Sequence, residues 1–327
     1  MKSISVKPLG LFSGFRPTPR LVRGVDLAGQ WAAPIMIGVV LVTAAIFAPA
    51  FYNPTNLKTV AIQIAVLGIV AIGQTLVLLN RSIDMSVSAV LALGAVIVVQ
   101  TEAGNPIVVS LLQAFAVAAL IGLANGFLVA KRHVPPFVAT FGMLVFVGGA
   151  RLAYTKGQAS GTVPALLRAI SIEPLGPIPA ALVVWLIINA IVIFILKYTR
   201  FGRWVYAVGG NPGAARYAGI NVDWVLISAH ITCSVFAILG GLLLSGYIGY
   251  VDLRLGAEYN MNSIAAAVVG GTTFTGGRGN LFVTLLIMLL NLVVVLGLSI
   301  HWQYAMQGTV LVLATALQGF RQFLLSR

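Results

Sequence analysis

Long apolar runs separated by short polar breaks dominate the chain. They fall near residues 31–50, 57–79, 83–101, 106–130, 135–154, 177–197, 224–248, 261–275, 280–299 and 304–321. A helix needs about 20 mostly apolar residues to cross the hydrocarbon core of a bilayer. The pattern therefore predicts ten spanning helices and an all-α integral membrane protein. The third and eighth runs are short, and Gly, Ser, Thr or Asn flank both. Residues 1–30 hold five basic residues and three prolines and read as a polar tail before a membrane domain over 31–321. Residues 198–223 form the longest polar interruption, and 322–327 a short polar end.

The placement of charge orients the spans. With the N-terminus in the cytosol, an even number of spans returns the C-terminus there. Of the 20 Lys and Arg residues, 15 then fall on cytosolic segments and 5 outside. This is the bias of the positive-inside rule, and the opposite orientation inverts it. Trp31, Trp224 and Trp302 lie at span ends, where an indole suits the headgroup layer; Trp185, deeper in a run, is expected to pack. Ala48-Pro49-Ala50 resembles a signal-peptide cleavage site, but the apolar stretch before it exceeds the usual h-region of about 7–15 residues.

Composition narrows the class. The chain is 59% hydrophobic and 8% charged, against about 25% charged in soluble domains. Mean hydropathy is +1.01. The net charge of +13 sits at the ends of apolar runs rather than on one face, which argues against a nucleic-acid partner and for the lipid bilayer as solvent. The single Cys233 excludes an intrachain disulfide and a cysteine metal cluster.

Four stretches carry candidate chemistry. The first is Ala207 to Asn221 in the basic loop, where small residues alternate with polar ones. Asn211 can cap a helix, Pro212 suits its first turn and Gly219 its end, so a short helix is expected from Gly213 to Ala218. It would offer Ala214, Ala215 and Ala218 to a partner; an ordinary surface turn reads equally well. The second is Gly270 to Asn280. It lacks the Lys-Ser/Thr of a phosphate-binding loop, and reads better as irregular backbone beside a pathway. The third is Asn80 to Ser88, containing Asp84, the one acid close to a span interior. Asp84 is expected to cap the third helix or to pair with Arg81, with proton carriage as the alternative. The fourth is Gly122-Leu123-Ala124-Asn125-Gly126, a small-xxx-small pattern that permits close helix packing. No catalytic constellation can be assembled and no cofactor is expected. The pathway candidates are nearly all neutral: Gln63, Gln74, Asn125, Thr140, Asn262 and Ser263, with Ser86, Thr272, Thr273 and Asp84 beside them. They suit a neutral polar solute, and the scarcity of buried acids means uphill transport needs an external energy source.

The chain resembles the permease subunits of bacterial ATP-binding-cassette importers for monosaccharides. Four motifs carry the resemblance: Ile83 to Val87, Pro135 to Met143, Gly209 to Asn221, and Gly270 to Asn280. The resemblance implies two permease copies, two cytosolic ATP-binding subunits and an extracytoplasmic sugar-binding protein, in the bacterial inner membrane. It implies that Gly209, Asn211, Ala214, Ala215, Gly219 and Ile220 belong to the segment that seats in the ATPase. It also implies two inverted five-helix halves, and the short third and eighth spans occupy corresponding places. The family reads Gly-Gly-Ile-Asp-Leu-Ser-Val-Gly at the third span, where this chain has Arg81, Ser82 and Ser88 for the glycines. A nucleoside or branched-chain amino acid importer on the same scaffold is the near alternative. A self-sufficient secondary carrier using Asp84 is the alternative of another class.

Overall fold

The computed structural model describes residues 37–101, 106–158 and 161–277, with isolated positions at 35, 296, 302, 305, 308, 309, 312, 315 and 316. The described chain is helical. Its long or apolar helices are α1 (Ile37–Phe47), α2 (Pro54–Leu79), α3 (Val87–Thr101), α4 (Ile107–Ala130) and α5 (Pro136–Thr155). A short α6 (Ala165–Ile172) leads to the two-residue strands β1 (Pro174–Leu175) and β2 (Ile178–Pro179), paired antiparallel, and then to α7 (Ala180–Tyr198). After these come α8 (Arg200–Gly210), α9 (Pro212–Tyr217), α10 (Val222–Ile248) and α11 (Tyr259–Val269). Apart from those isolated positions, the ninth and tenth expected spans lie outside the described residues, as do the tail 1–30, Trp31 and Arg278 to Asn280.

Among the described residues, five helices, α2, α4, α5, α7 and α10, are long and apolar enough to cross a membrane. They divide by what covers them. The most apolar stretch of α2 is 94% buried, whereas that of α5 is 17% buried. A helix apolar all round must be covered by protein or lipid. Protein covers α2, chiefly α10, α11 and α7. On α4, α5 and α7 the outer faces carry Leu112, Leu120, Phe137, Phe146, Ile187 and Phe194, all exposed. Water would penalise such a surface and hydrocarbon does not.

The inner stripe of α4 is Ser110, Ala114, Ala118, Gly122, Gly126 and Ala130, each four residues from the next and all buried. It faces α10. A β-carbon on Gly122 would lie 2.5 Å from Ile231 Cα, and one on Gly126 would lie 2.6 Å from Ile227 Cα. The two helices run antiparallel in backbone contact, as the small-xxx-small spacing predicts. Trp185 is a packing residue, 8% exposed, with its indole against Gly68 of α2.

Three boundaries differ from expectation. The third span is helical only from Val87, because Ile83 to Ser86 is irregular buried backbone. The eighth is helical over Tyr259–Val269 and stops at Gly270 and Gly271. The sixth begins at Ala180, since the β1–β2 hairpin takes up residues 174–179. The basic loop, expected to hold one short helix, holds two. The unforeseen α8 buries Gly202, Val205, Val208 and Gly209 at 3–4 spacing, while Thr199 caps it by accepting from the Gly202 N–H.

Candidate functional site

Two linked arrangements meet at the turn between α2 and α3. The first is a buried polar network around Asp84. Helix α2 ends in a Schellman corner: the Arg81 N–H donates to the Leu78 carbonyl at 3.0 Å, and the Ser82 N–H to the Val77 carbonyl at 3.1 Å. Arg81 takes the left-handed position of this corner, φ 59°. Glycine is the usual residue there, and a non-glycine residue costs about 1 kcal/mol or more. The corner turns the chain inward, and Asp84 enters the interior 1% exposed.

There Asp84 accepts from the Ser86 N–H at 2.8 Å and the Ser86 hydroxyl at 2.6 Å through Oδ1. Its Oδ2 faces Asn125 Nδ2 of α4 at 3.5 Å and His230 Nδ1 of α10 at 3.2 Å. Asn125 also donates to Ser86 Oγ at 3.0 Å, and His230 Nε2 lies 2.9 Å from Ser82 Oγ. With Asp84 ionised, the Nδ1–H of His230 donates to it and Nε2 is free to accept the Ser82 hydroxyl. Thr140 of α5 closes the other side: its hydroxyl oxygen accepts from the Met85 N–H at 3.0 Å and lies 2.8 Å from the Pro136 carbonyl. Asn260 of α11 accepts from the Ser88 N–H at 2.8 Å. Irregular backbone inside an apolar protein needs such partners for every N–H. Asp84, Ser86, Asn125, Thr140 and His230 are what make this segment possible.

This arrangement corrects the expectation that Asp84 pairs with Arg81. A left-handed corner aims the arginine away from the carboxylate, which meets donors from α4 and α10 instead. Asp84 supports the start of α3, but from inside a network rather than from a surface cap. His230 was the residue sequence reasoning missed. It is 146 positions away, and nothing local marks it except a histidine in an apolar run. Gln74 is also buried, with Cys233 Sγ 3.8 Å from its Oε1. Asn262, Ser263 and Thr272 are buried elsewhere, around α11, and Gln63 and Thr273 are half-buried. The structure therefore brings together four of the ten pathway candidates.

The second arrangement is the base of the basic loop. Arg81 donates from Nε to the Gly209 carbonyl at 2.6 Å and from Nη2 to the Gly210 carbonyl. The Gly277 N–H donates to the Leu79 carbonyl at 2.9 Å. The end of α2, the end of α8 and the glycine-rich segment after α11 thus meet at backbone distance. A β-carbon on Gly209 would overlap the Leu79 carbonyl oxygen, and one on Gly277 would lie 2.8 Å from the Gly210 nitrogen.

Beyond this junction α9 forms as its sequence predicts. Asn211 Oδ1 accepts from the Ala214 N–H at 3.0 Å, Pro212 opens the helix, and Gly219 at φ 79° ends it. The face it presents differs from expectation. Ala215 is 4% exposed and packs into the chain's own core. Gly209 is buried and Ile220 half-buried, while Asn211, Gly213, Ala214, Ala218 and Gly219 are exposed. Tyr217, not singled out from sequence, stands 97% exposed. Asp223, in the first turn of α10, joins Lys131 at the end of α4 (2.7 Å) and Arg216 of α9 (3.2 Å). Exposed pairs of this kind contribute roughly 0–1 kcal/mol each, so they tie α4 and α9 to the start of α10 without adding much stability.

Because Ala215 faces inward, Ala215→Glu buries an unpaired carboxylate. It is expected to lower the melting temperature by about 5 °C or more, at roughly 2–4 °C per kcal/mol for a chain of this size. A thermal melt of the purified variant checks this, and an unchanged midpoint contradicts the inward placement.

Helices of spanning length with lipid-suited outer faces, folded around a broken and polar-lined segment, define a multi-pass membrane transport protein. The family model described as the permease component of the branched-chain amino acid transport system matches residues 56–315. The chain belongs to this family of transport permeases. It is 32% identical to the fructose import permease protein of Rhizobium meliloti over 303 residues, covering 88% of this chain and 84% of that one. It is 32% identical to the ribose import permease protein of Escherichia coli K12 over 299 residues, covering 88% and 93%. It is 31% identical to the galactose/methyl galactoside import permease protein of Haemophilus influenzae over 320 residues, covering 88% and 92%. No solved structure matches the chain.

Proposed function

We propose that this chain is the membrane-spanning permease subunit of an ATP-driven importer of a neutral monosaccharide. Two copies, identical or paralogous, form the pathway. Cytosolic ATP-binding subunits drive it, and an extracytoplasmic binding protein delivers the sugar across the bacterial inner membrane. In this reading ten spans over 31–321 leave both termini in the cytosol. The ends of α2 and α4, the α8–α9 segment and the start of α10 share the cytosolic side. Their mutual contacts through Arg81, Lys131 and Asp223 support that grouping.

The observation that carries the proposal is α9: a six-residue helix capped at both ends, anchored by Ala215, and turning Tyr217 fully outward. Asn211, Ala214 and Gly219 form the seat for the ATPase subunit, with Tyr217 added. Gly209, Ala215 and Ile220 hold that seat to the membrane domain. The buried Asp84, Ser86, Asn125 and Thr140 shape the wall of the pathway. The sugar class rests on relatives named for fructose, ribose and galactose, and on a spanning region almost free of acids.

Ala214→Glu is the direct test, because it adds charge to the proposed seat without entering the core. It is expected to abolish co-purification of the ATPase subunit and to cut sugar uptake about tenfold or more, while the melting temperature stays within about 2 °C. Normal uptake and normal co-purification in this variant would overturn the assignment of α9.

A further inference from the structure

Arg81 stands where the resemblance places glycine, in a left-handed corner that favours glycine. Its presence there sets up two contacts that glycine cannot make. The last carbonyls of α8 have no partner within the helix and carry the negative end of its dipole. The guanidinium donates to two of them, on Gly209 and Gly210. A planar, always-charged fork matches such a pair better than an ammonium does. The space is shaped for this side chain: a β-carbon on Gly276 would lie 2.5 Å from Arg81 Cγ and 2.9 Å from the Gly209 carbonyl oxygen. One residue past Arg81, Ser82 contacts His230, and three past it Asp84 anchors the network. One residue past Gly210, Asn211 caps α9.

We propose that Arg81 is a positioning residue that transmits displacement of α9 to the Asp84 segment, so that the ATPase stroke moves the pathway wall through the two carbonyl contacts. This rests on the reading of α9 as the ATPase seat. In a glycine-bearing corner the same two segments touch only through backbone packing. In this chain a charged side chain joins them, so the step from ATP hydrolysis to transport depends on it.

The test uses the whole complex of permease, ATPase subunits and binding protein in proteoliposomes. Hydrolysis of ATP and uptake of radiolabelled ribose, fructose and galactose are measured side by side. Arg81→Gly relieves the backbone strain and removes both contacts; Arg81→Lys keeps the charge but not the fork. Arg81→Gly is expected to keep ATP hydrolysis within about twofold while sugar moved per ATP falls about fivefold or more, the lower end of common coupling effects. Arg81→Lys is expected to lie between Arg81→Gly and the unaltered chain. An unchanged ratio in Arg81→Gly overturns the proposal. So does an equal loss of hydrolysis and uptake with dissociation of the complex, which marks a merely structural residue. If the unaltered chain binds no ATPase subunit, the reading of α9 fails first, and that outcome is separate from both.

Discussion

Asp84→Ala is expected to abolish transport, with uptake reduced about 100-fold or more, and to destabilise the membrane domain by about 3 kcal/mol. The carboxylate accepts from Ser86 twice and faces Asn125 and His230, all within an interior that water does not reach. Removing it leaves several buried donors without a partner, each costing about 1–3 kcal/mol. Asp84→Asn keeps the size but turns an amide N–H towards one of these donors, so an intermediate loss is expected. The measurement is a thermal melt alongside uptake. A double-mutant cycle of Asp84→Asn with His230→Gln adds a coupling energy, expected to exceed about 1 kcal/mol for groups in direct contact. An additive cycle would show that His230 packs beside Asp84 without serving it.

Gly122→Leu has the second largest expected effect. A β-carbon at 122 meets Ile231 Cα at 2.5 Å and the His230 carbonyl oxygen at 2.7 Å. Both are backbone atoms, so no rotamer change relieves the clash and the helices must separate. In a bilayer, helices associate through close packing rather than exclusion from water, so separation removes the force that holds them. Overpacking of this kind costs about 1–3 kcal/mol before the network is counted. Separation also draws Asn125 and His230 apart, since both flank the contact. The expected result is a fall in melting temperature of roughly 10 °C at about 2–4 °C per kcal/mol, with little folded protein recovered. Ile231→Ala should not rescue it, because the obstructing atom is Cα. Gly240→Ala provides the contrast. Its β-carbon would overlap the Cγ2 of Val70, the end of a side chain, so Val70→Ala should restore stability there. Rescue of Gly122→Leu by Ile231→Ala would refute the backbone contact.

The two predictions differ in how visible their basis is in sequence. The Gly122 and Gly126 contact is readable, because four-residue spacing is a property of one helix and any close partner needs the small face. The partner is not readable; α10 lies more than 100 residues later. Asp84 is conspicuous as the acid within an apolar region, yet its partners come from α4 and α10 as well as its own turn. Local reasoning offered Arg81, three residues away, and the left-handed backbone at 81 removed that option. In the basic loop, capping chemistry foretold α9, since Asn211, Pro212 and Gly219 act within a few residues of themselves. Which side of α9 faces outward depended on where α8 and α10 place its axis. That reversed the roles of Ala215 and Gly209, which anchor, and brought Tyr217 forward.

The sequence by itself determined the solvent, the helical class and, among the described residues, the bounds of the second, fourth, fifth and seventh expected spans to within a few residues. Apolar length and the exclusion of charge are set by transfer of each residue into hydrocarbon, which needs no knowledge of neighbours. It also determined the caps, whose hydrogen bonds close within one turn. Only the tertiary structure decided that the third span begins as buried irregular backbone, that His230 completes its support, and that Arg81 reaches across to α8. Those features arise where distant segments satisfy one another's donors and carbonyls. Inside a membrane protein such pairing is obligatory, but spacing along the chain does not say which partner meets it.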